Sequence, residues 1–308
     1  MFRSVNLLPI IGAATRRWGT APQPIDLAPG QMIDLPGRGR TCVIDRPGPP
    51  GAPTIILLHA LATTAALSWY PSLEKLGEHY RVVAFDQRWH GRGIRCENFR
   101  LDDCADDVVA VADALGIDKF TVVGYSMGGA IAQLVWRRHR TRVDGMVLAA
   151  TARNFRGKMT ERMWFMLTQT TMTRWGQGVR VRADRLHATL TDAPSALGAD
   201  DGIGPWAFGE FRSTSAWTML AAMNEIGRFD SSAWIRRVDV PTSVIVMTRD
   251  RFIPTRRQRR LAASIPGAQI YDVDGNHAAL VLSADDFVPV LVSACRSVTR
   301  RRAERPAA

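Results

Sequence analysis

Lysine is nearly absent from this chain of 308 residues: of its 40 basic residues only Lys75, Lys119 and Lys158 are lysines, and the rest are arginines. The net charge of +11 is therefore an arginine charge. It is scattered in pairs (Arg137 with Arg138, Arg236 with Arg237, Arg256 with Arg257, Arg259 with Arg260) and is densest at Arg300 to Arg302. No basic stripe is interleaved with aromatics, so no nucleic-acid partner is expected. Cysteine is scarce too. Cys42, Cys96, Cys104 and Cys295 show neither CxxC spacing nor histidines at metal-site intervals, which argues against a metal centre and a disulfide framework. They read as small buried thiols of a reducing, cytoplasmic compartment. No run of 18 apolar residues exists, so no membrane-spanning helix is expected. The apolar stretch Val5–Ala14 is short, contains Pro9 and is flanked by arginines on both sides. It reads either as a flexible or docked extension or as a weak peripheral foot on a membrane surface.

What is present is an ordinary globular composition, 46% hydrophobic and 22% charged, in a chain long enough for one large α/β domain with an insertion. Short apolar, β-branched runs at Thr54–His59, Arg81–Asp86, Phe120–Tyr125, Gly145–Ala150, Thr242–Thr248 and Ala268–Val273 are continuous rather than alternating. That pattern suits strands covered on both faces. Gln31–Leu35 and Arg40–Asp45 form a hairpin signal around Pro36 and Gly37. Helical spacing over Asp102–Leu115 stops at Gly116, and a second helix is expected over Met127–His139. Ser283 opens a C-terminal helix whose start Pro289 is expected to disturb. Strand–helix alternation predicts an α/β fold, a doubly wound, mostly parallel sheet.

The alternation breaks between Thr151 and Trp234, where methionine and tryptophan are dense and no strand is evident. The expected organisation is an N-terminal extension (1–25), an α/β core (26–151 and 235–300), a helical cap (152–234) and a basic tail (301–308). Met163, Trp164 and Trp217 of the cap are the candidate substrate-binding residues, since methionine and tryptophan line adaptable apolar pockets.

The strongest local signal is Gly124-Tyr125-Ser126-Met127-Gly128, placed between a predicted strand and a predicted helix. A tight turn there lifts a serine hydroxyl to the edge of a sheet and sets it at a helix N-terminus. A serine needs a base, and His277 follows the last strand in Asp274-Gly275-Asn276-His277. His79, His139 and His187 fall in helical stretches and read as packing residues, as does His90 in its turn. Asp250, after the strand Thr242–Thr248, follows Ser126 and precedes His277 in the order serine, acid, histidine. Asp272 and Asp274 are alternative carboxylates on or beside the final strand. The oxyanion of a tetrahedral intermediate needs backbone donors, for which the N–H groups of Met127 and Leu61 are the candidates.

On these residues the chain resembles the α/β-hydrolase superfamily, in its esterase, lipase-like and peroxidase-like branch. The matching pieces are His59-Ala60-Leu61, Asp86-Gln87-Arg88-Trp89-His90-Gly91-Arg92-Gly93, Gly124-Tyr125-Ser126-Met127-Gly128-Gly129, the Asp250 turn with Pro254, and Gly275-Asn276-His277. Together they span roughly residues 30 to 295. Three departures stand out: Ala60 and Trp89 replace glycines, and Asn276 interrupts a Gly-His pair. The resemblance implies no metal and no organic cofactor. The methionine and tryptophan of the cap, if they line the pocket, point to a small-molecule substrate with an apolar acyl or alcohol portion, expected as a carboxylic ester of medium chain cleaved through an acyl-enzyme on Ser126. The same three side chains also serve acyl transfer, perhydrolysis and carbon–carbon bond hydrolysis, and the fold also serves as a non-catalytic binding scaffold. An aspartate-nucleophile hydrolase is disfavoured by the serine at the turn.

Overall fold

The structure, a computed structural model, describes residues 30–155, 203–214 and 216–304. Eight strands form one sheet: β1 (Gln31–Leu35), β2 (Gly39–Arg46), β3 (Thr54–Leu58), β4 (Arg81–Phe85), β5 (Phe120–Tyr125), β6 (Val143–Ala149), β7 (Thr242–Met247) and β8 (Gln269–Val273). Their spatial order is β1-β2-β4-β3-β5-β6-β7-β8. The β1–β2 and β2–β4 pairs are antiparallel and all the others parallel. Eight helices are described: α1 (Ala65–Gly77), α2 (Leu101–Ala114), α3 (Met127–Arg138), α4 (Ile203–Arg212), α5 (Ala216–Arg228), α6 (Thr255–Ser264), α7 (Ala279–Leu282) and α8 (Ala284–Ala303).

The two-residue period of a strand divides the apolar runs between two cores. Ile56 and Leu58 face one layer with α2, α3 and α6, while Ile55 and Leu57 face the other with α1, α7 and α8. Both faces of the central strands are therefore dry, which is why their sequences read as unbroken apolar runs. The edge strand β8 differs from expectation. Ile270 is 45% exposed, because β8 has a neighbour on one side only and its outer face is not covered.

The expected disturbance at Pro289 does not occur. α8 runs unbroken from Ala284 past it, with Ser283 at the N-cap. The proline deletes a single N–H near the helix start, and the burial of Phe287, Leu291, Ala294, Cys295 and Val298 against the sheet outweighs that loss. The helix also carries Arg301 and Arg302, which the sequence assigns to a basic tail. Arg301 is docked, its guanidinium donating to the carbonyls of Gly267 and Thr242 at 3.0 Å each.

The loop after β4 is fixed by a buried ion cluster. Asp107 on α2 accepts two hydrogen bonds from the Arg88 guanidinium (2.6 and 2.8 Å) and one from Arg38 of the β1–β2 turn (2.5 Å). Its side chain is 1% exposed, so removing it takes the carboxylate partner from the buried Arg88 guanidinium and from the partly exposed Arg38. This tie lets the loop keep Trp89 at φ 66°, a left-handed conformation a bulky side chain rarely adopts. The indole is held by its Nε1–H on the Cys96 carbonyl at 2.9 Å and by the Phe99 ring. Replacing Asp107→Ala is expected to cost about 3–5 kcal/mol. Urea denaturation would read this as a lower midpoint, and a change below about 1 kcal/mol would contradict the assigned role.

Candidate active site

Ser126 lies between β5 and α3 with φ 54° and ψ −112°, a strained turn for a residue with a Cβ. The turn exists because its neighbours are glycines. A Cβ on Gly124 would lie 2.2 Å from the Gly128 carbonyl oxygen, and one on Gly128 would lie 2.2 Å from that of Leu58. The first turn of α3 can thus press directly on the end of β3. Two hydrogen bonds lock the strained backbone, from Ser126 N–H to the Ala149 carbonyl (2.9 Å) and from Thr151 Oγ1 to the Ser126 carbonyl (2.9 Å).

β7 and β8 end on the same edge of the sheet as β5, with β6 between, and their loops deliver the two partners. His277 Nε2 lies 2.9 Å from Ser126 Oγ, and its Nδ1 lies 2.7 Å from Asp250 Oδ2. The carboxylate can only accept, so Nδ1 carries the proton and Nε2 accepts from the serine hydroxyl. Asp250 Oδ1 accepts from the backbone N–H groups of Phe252 (2.8 Å) and Ile253 (2.9 Å). Oδ2 accepts in addition from Gln258 Nε2 at 3.1 Å. Ser126 and Asp250 are buried and the imidazole is partly exposed, so the His277 ring can be reached from outside and the Asp250 carboxylate cannot. Tyr125 donates its hydroxyl to the His277 carbonyl at 3.1 Å, and the exposed Phe252 ring lies 5.4 Å from the imidazole centroid.

The alternative carboxylates are engaged elsewhere. Asp272 is exposed and pairs with Arg259 at 2.9 Å, while Asp274 accepts from Thr248 Oγ1 at 3.0 Å and pairs with Arg249 at 2.8 Å. Among the other histidines, His79 lies just past α1, a turn rather than a helix, and His139 follows α3 and pairs with Asp106 at 2.8 Å. His187 lies outside the described residues. His59 and His90 are fully buried, and desolvation by burial lowers their pKa values to about 4 and about 3, so both stay neutral. His59 braces the turn after β3: Nδ1–H donates to the Ala60 carbonyl (2.8 Å) and Nε2 accepts from Gln87 N–H (2.9 Å). Leu61 sits in that braced turn, whose positive φ falls at Ala62 (63°) rather than at Ala60. The N–H of Met127 opens α3 and has no intrahelical acceptor.

Of the candidate pocket residues, Met163 and Trp164 lie outside the described residues, and Trp217 is on α5 with its side chain likewise undescribed. Among the described residues no three histidine, cysteine, aspartate or glutamate side chains group as a metal ion would need, and no helix is long and apolar enough to cross a membrane. Two residues near the site escaped the sequence reading. Gln258 is one. The inward positions of α6 are Gln258, Leu261, Ala262 and Ser264, so a lone amide on the buried face of an arginine helix was the available signal. Glu210 on α4 is the other. Its carboxylate accepts from the Thr64 hydroxyl and lies 3.5 Å from Arg92. Thr64 is the N-cap of α1, three residues past Leu61, and Asp86 ties the same turn through the N–H groups of Ala65 (2.8 Å) and Arg92 (2.9 Å). Nothing in the periodicity of the inserted segment pointed to this contact.

With this geometry in hand, comparison with known proteins gives one family. A sequence model of the alpha/beta hydrolase fold matches residues 53–284, and the chain belongs to that family. RutD of Agrobacterium fabrum, named provisionally as a carbamate hydrolase, is 28% identical over 246 residues, 77% of this chain and 90% of that protein. The 3-oxoadipate enol-lactonase 1 of Acinetobacter baylyi is 23% identical over 267 residues, 85% of this chain and 95% of the relative. The crystal structure of an esterase from Exiguobacterium antarcticum superposes with a TM-score of 0.66 at 20% identity, covering 86% of this chain and 98% of the esterase.

Glu210 makes a prediction about the α4 contact. Burial raises its pKa, more than the nearby Arg92 lowers it. The folded chain therefore holds this proton to a higher pH than the unfolded chain, and stability is lost as pH rises through that window. Glu210→Gln should flatten the fall of Tm expected of the wild type as pH rises above the ordinary glutamate range. A steeper fall in the variant would mean that the ionised carboxylate is the stabilising form.

Proposed function

We propose that the chain cleaves a carboxylic ester with an apolar acyl portion through an acyl-enzyme on Ser126. As a member of the alpha/beta-hydrolase family it is a hydrolase, and its relatives are named for action on lactone, ester and carbamate bonds. The observation that carries the finer reading is the unbroken line Asp250–His277–Ser126 at 2.7 and 2.9 Å.

In this reading His277 Nε2 takes the Ser126 proton as Oγ attacks the ester carbonyl, and the resulting imidazolium is steadied by Asp250. The oxyanion is met by the N–H of Met127, helped by the positive end of the α3 dipole, and by the N–H of Leu61. Each such donor is worth about 3–4 kcal/mol in related chemistry. His277 then returns the proton to the leaving alcohol, water takes the alcohol's place, and the same base activates it to release the acid. The apolar acyl portion is inferred from the exposed Phe252 ring beside the imidazole and from the methionine and tryptophan of segment 152–234, which we take as a helical cap over the site.

A fluorophosphonate probe should label wild-type protein on Ser126 and leave Ser126→Ala unlabelled. On p-nitrophenyl esters of rising chain length, kcat/KM should climb from acetyl to a medium chain, and Ser126→Ala should lower kcat by at least about 10⁴-fold. Turnover retained in a folded Ser126→Ala protein would refute the assignment.

A further inference from the structure

Asp250 receives one hydrogen bond that neither the backbone nor the base supplies. Gln258 on α6 is completely buried. Its Oε1 accepts from the Met247 N–H at 2.9 Å, and its Nε2 donates to the Ile253 carbonyl at 2.7 Å and to Asp250 Oδ2 at 3.1 Å. Those backbone partners fix which way the amide lies. The Met247 N–H must meet an oxygen and the Ile253 carbonyl must meet an N–H, so the group facing Asp250 is always a donor. Both N–H bonds of the amide are spent, and the carboxylate plane is held from the helix as well as from its own turn. The oxygen that Gln258 contacts is the one that accepts from His277 Nδ1.

We propose that Gln258 is a positioning residue for His277, acting through Asp250. It keeps Oδ2 on the line of Nδ1–H, and by sharing that oxygen it limits how strongly the carboxylate supports the imidazolium. A carboxylate oxygen free of that shared donor would hold the imidazolium more strongly. The step rests on the reading of His277 as the general base.

Other titratable and charged groups surround the pair. Tyr125 on β5 bonds the His277 carbonyl, Arg249 and Asp274 pair with each other on the two loops, and Arg259 of α6 pairs with Asp272. Arg257 donates to the Phe155 carbonyl at 3.2 Å, and Arg256 and Arg260 are exposed. Arg251 is exposed on the Asp250 turn itself. The carboxylate of Asp250 and the ring of His277 take their hydrogen bonds from none of them.

The test uses the full chain with Gln258→Met, which keeps length and removes the donor, and Gln258→Glu, which adds a negative charge beside Oδ2. The first readout is the titration of the His277 ring by ¹⁵N-edited NMR, which needs no substrate. Its midpoint should rise by about half to one pH unit in Gln258→Met and further in Gln258→Glu. The second is the pH profile of p-nitrophenyl ester turnover. The acid limb should move up by the same amount, and kcat should fall about tenfold or more with KM changed less than about threefold. Unchanged titration midpoints in both folded variants, or a lowered Tm with an unmoved acid limb, would overturn the proposal. If wild-type Ser126 resists the fluorophosphonate, it is the hydrolase reading that fails, and the NMR midpoints still decide the role of Gln258.

Discussion

The site depends on one crowded junction, where the end of β5 turns through Ser126 into α3. A residue with a Cβ is held there in left-handed backbone, a conformation that costs about 1–3 kcal/mol and persists only because its surroundings over-determine it. They do so by close packing. The Gly128 backbone lies against the end of β3, Gly129 packs on Thr151, and the serine's own N–H and carbonyl are both taken by the β6 side of the sheet. The same contacts that strain the serine bring the first turn of α3 against the end of the strand that leads into the Leu61 turn. The Ser126 turn and the turn that carries Leu61 are thus set by a single packing event.

The partners arrive by a second constraint, the adjacency of β5, β6, β7 and β8. Parallel strands end on the same edge, so residues that follow β5, β7 and β8 meet there although 151 positions separate Ser126 from His277. The β7 and β8 loops are also tied to each other, through Thr248 N–H on the Val273 carbonyl and Arg249 N–H on the Gly275 carbonyl, at 3.0 Å each. The His277 loop is tied in turn to the strand that carries the serine, by the Tyr125 hydroxyl on the His277 carbonyl.

Much of this was legible in the chain because it follows from local pattern. Continuous apolar runs gave the buried strands, Gly116 gave a helix end, and the glycines around Ser126 marked a turn only small residues fit. The order of serine, acid and histidine admits Asp250, Asp272 and Asp274 alike; the place of Asp250 after its strand favoured it, and the geometry puts Asp250, and neither of the others, on His277 Nδ1. What escaped was set by tertiary contact. Nothing local says that β8 is an edge and half exposed, or that Pro289 sits where the loss of one N–H is tolerated. Nor does any local pattern say that a glutamate from the inserted segment reaches the N-cap of α1. Trp89 at a glycine position reads as a departure, and only the Asp107 cluster and the indole bond to Cys96 explain how the backbone bears it.

Gln258 carries the argument one step further, because of the residues around it. Its helix reads Thr255-Arg256-Arg257-Gln258-Arg259-Arg260, in a chain that uses arginine almost wherever it uses a basic residue. The buried turn of that helix that meets Asp250 is the one place in the run where arginine is missing. A guanidinium there would pair with the carboxylate and cancel the charge that steadies the imidazolium, while a carboxylate there would repel it and hold the imidazolium too well. A neutral donor locked by two backbone groups does neither: it fixes the geometry and leaves the charge of Asp250 in place. The arginine run of that helix is interrupted at the residue that faces Asp250, where, in the proposed mechanism, a positive charge would compete with His277 for the carboxylate.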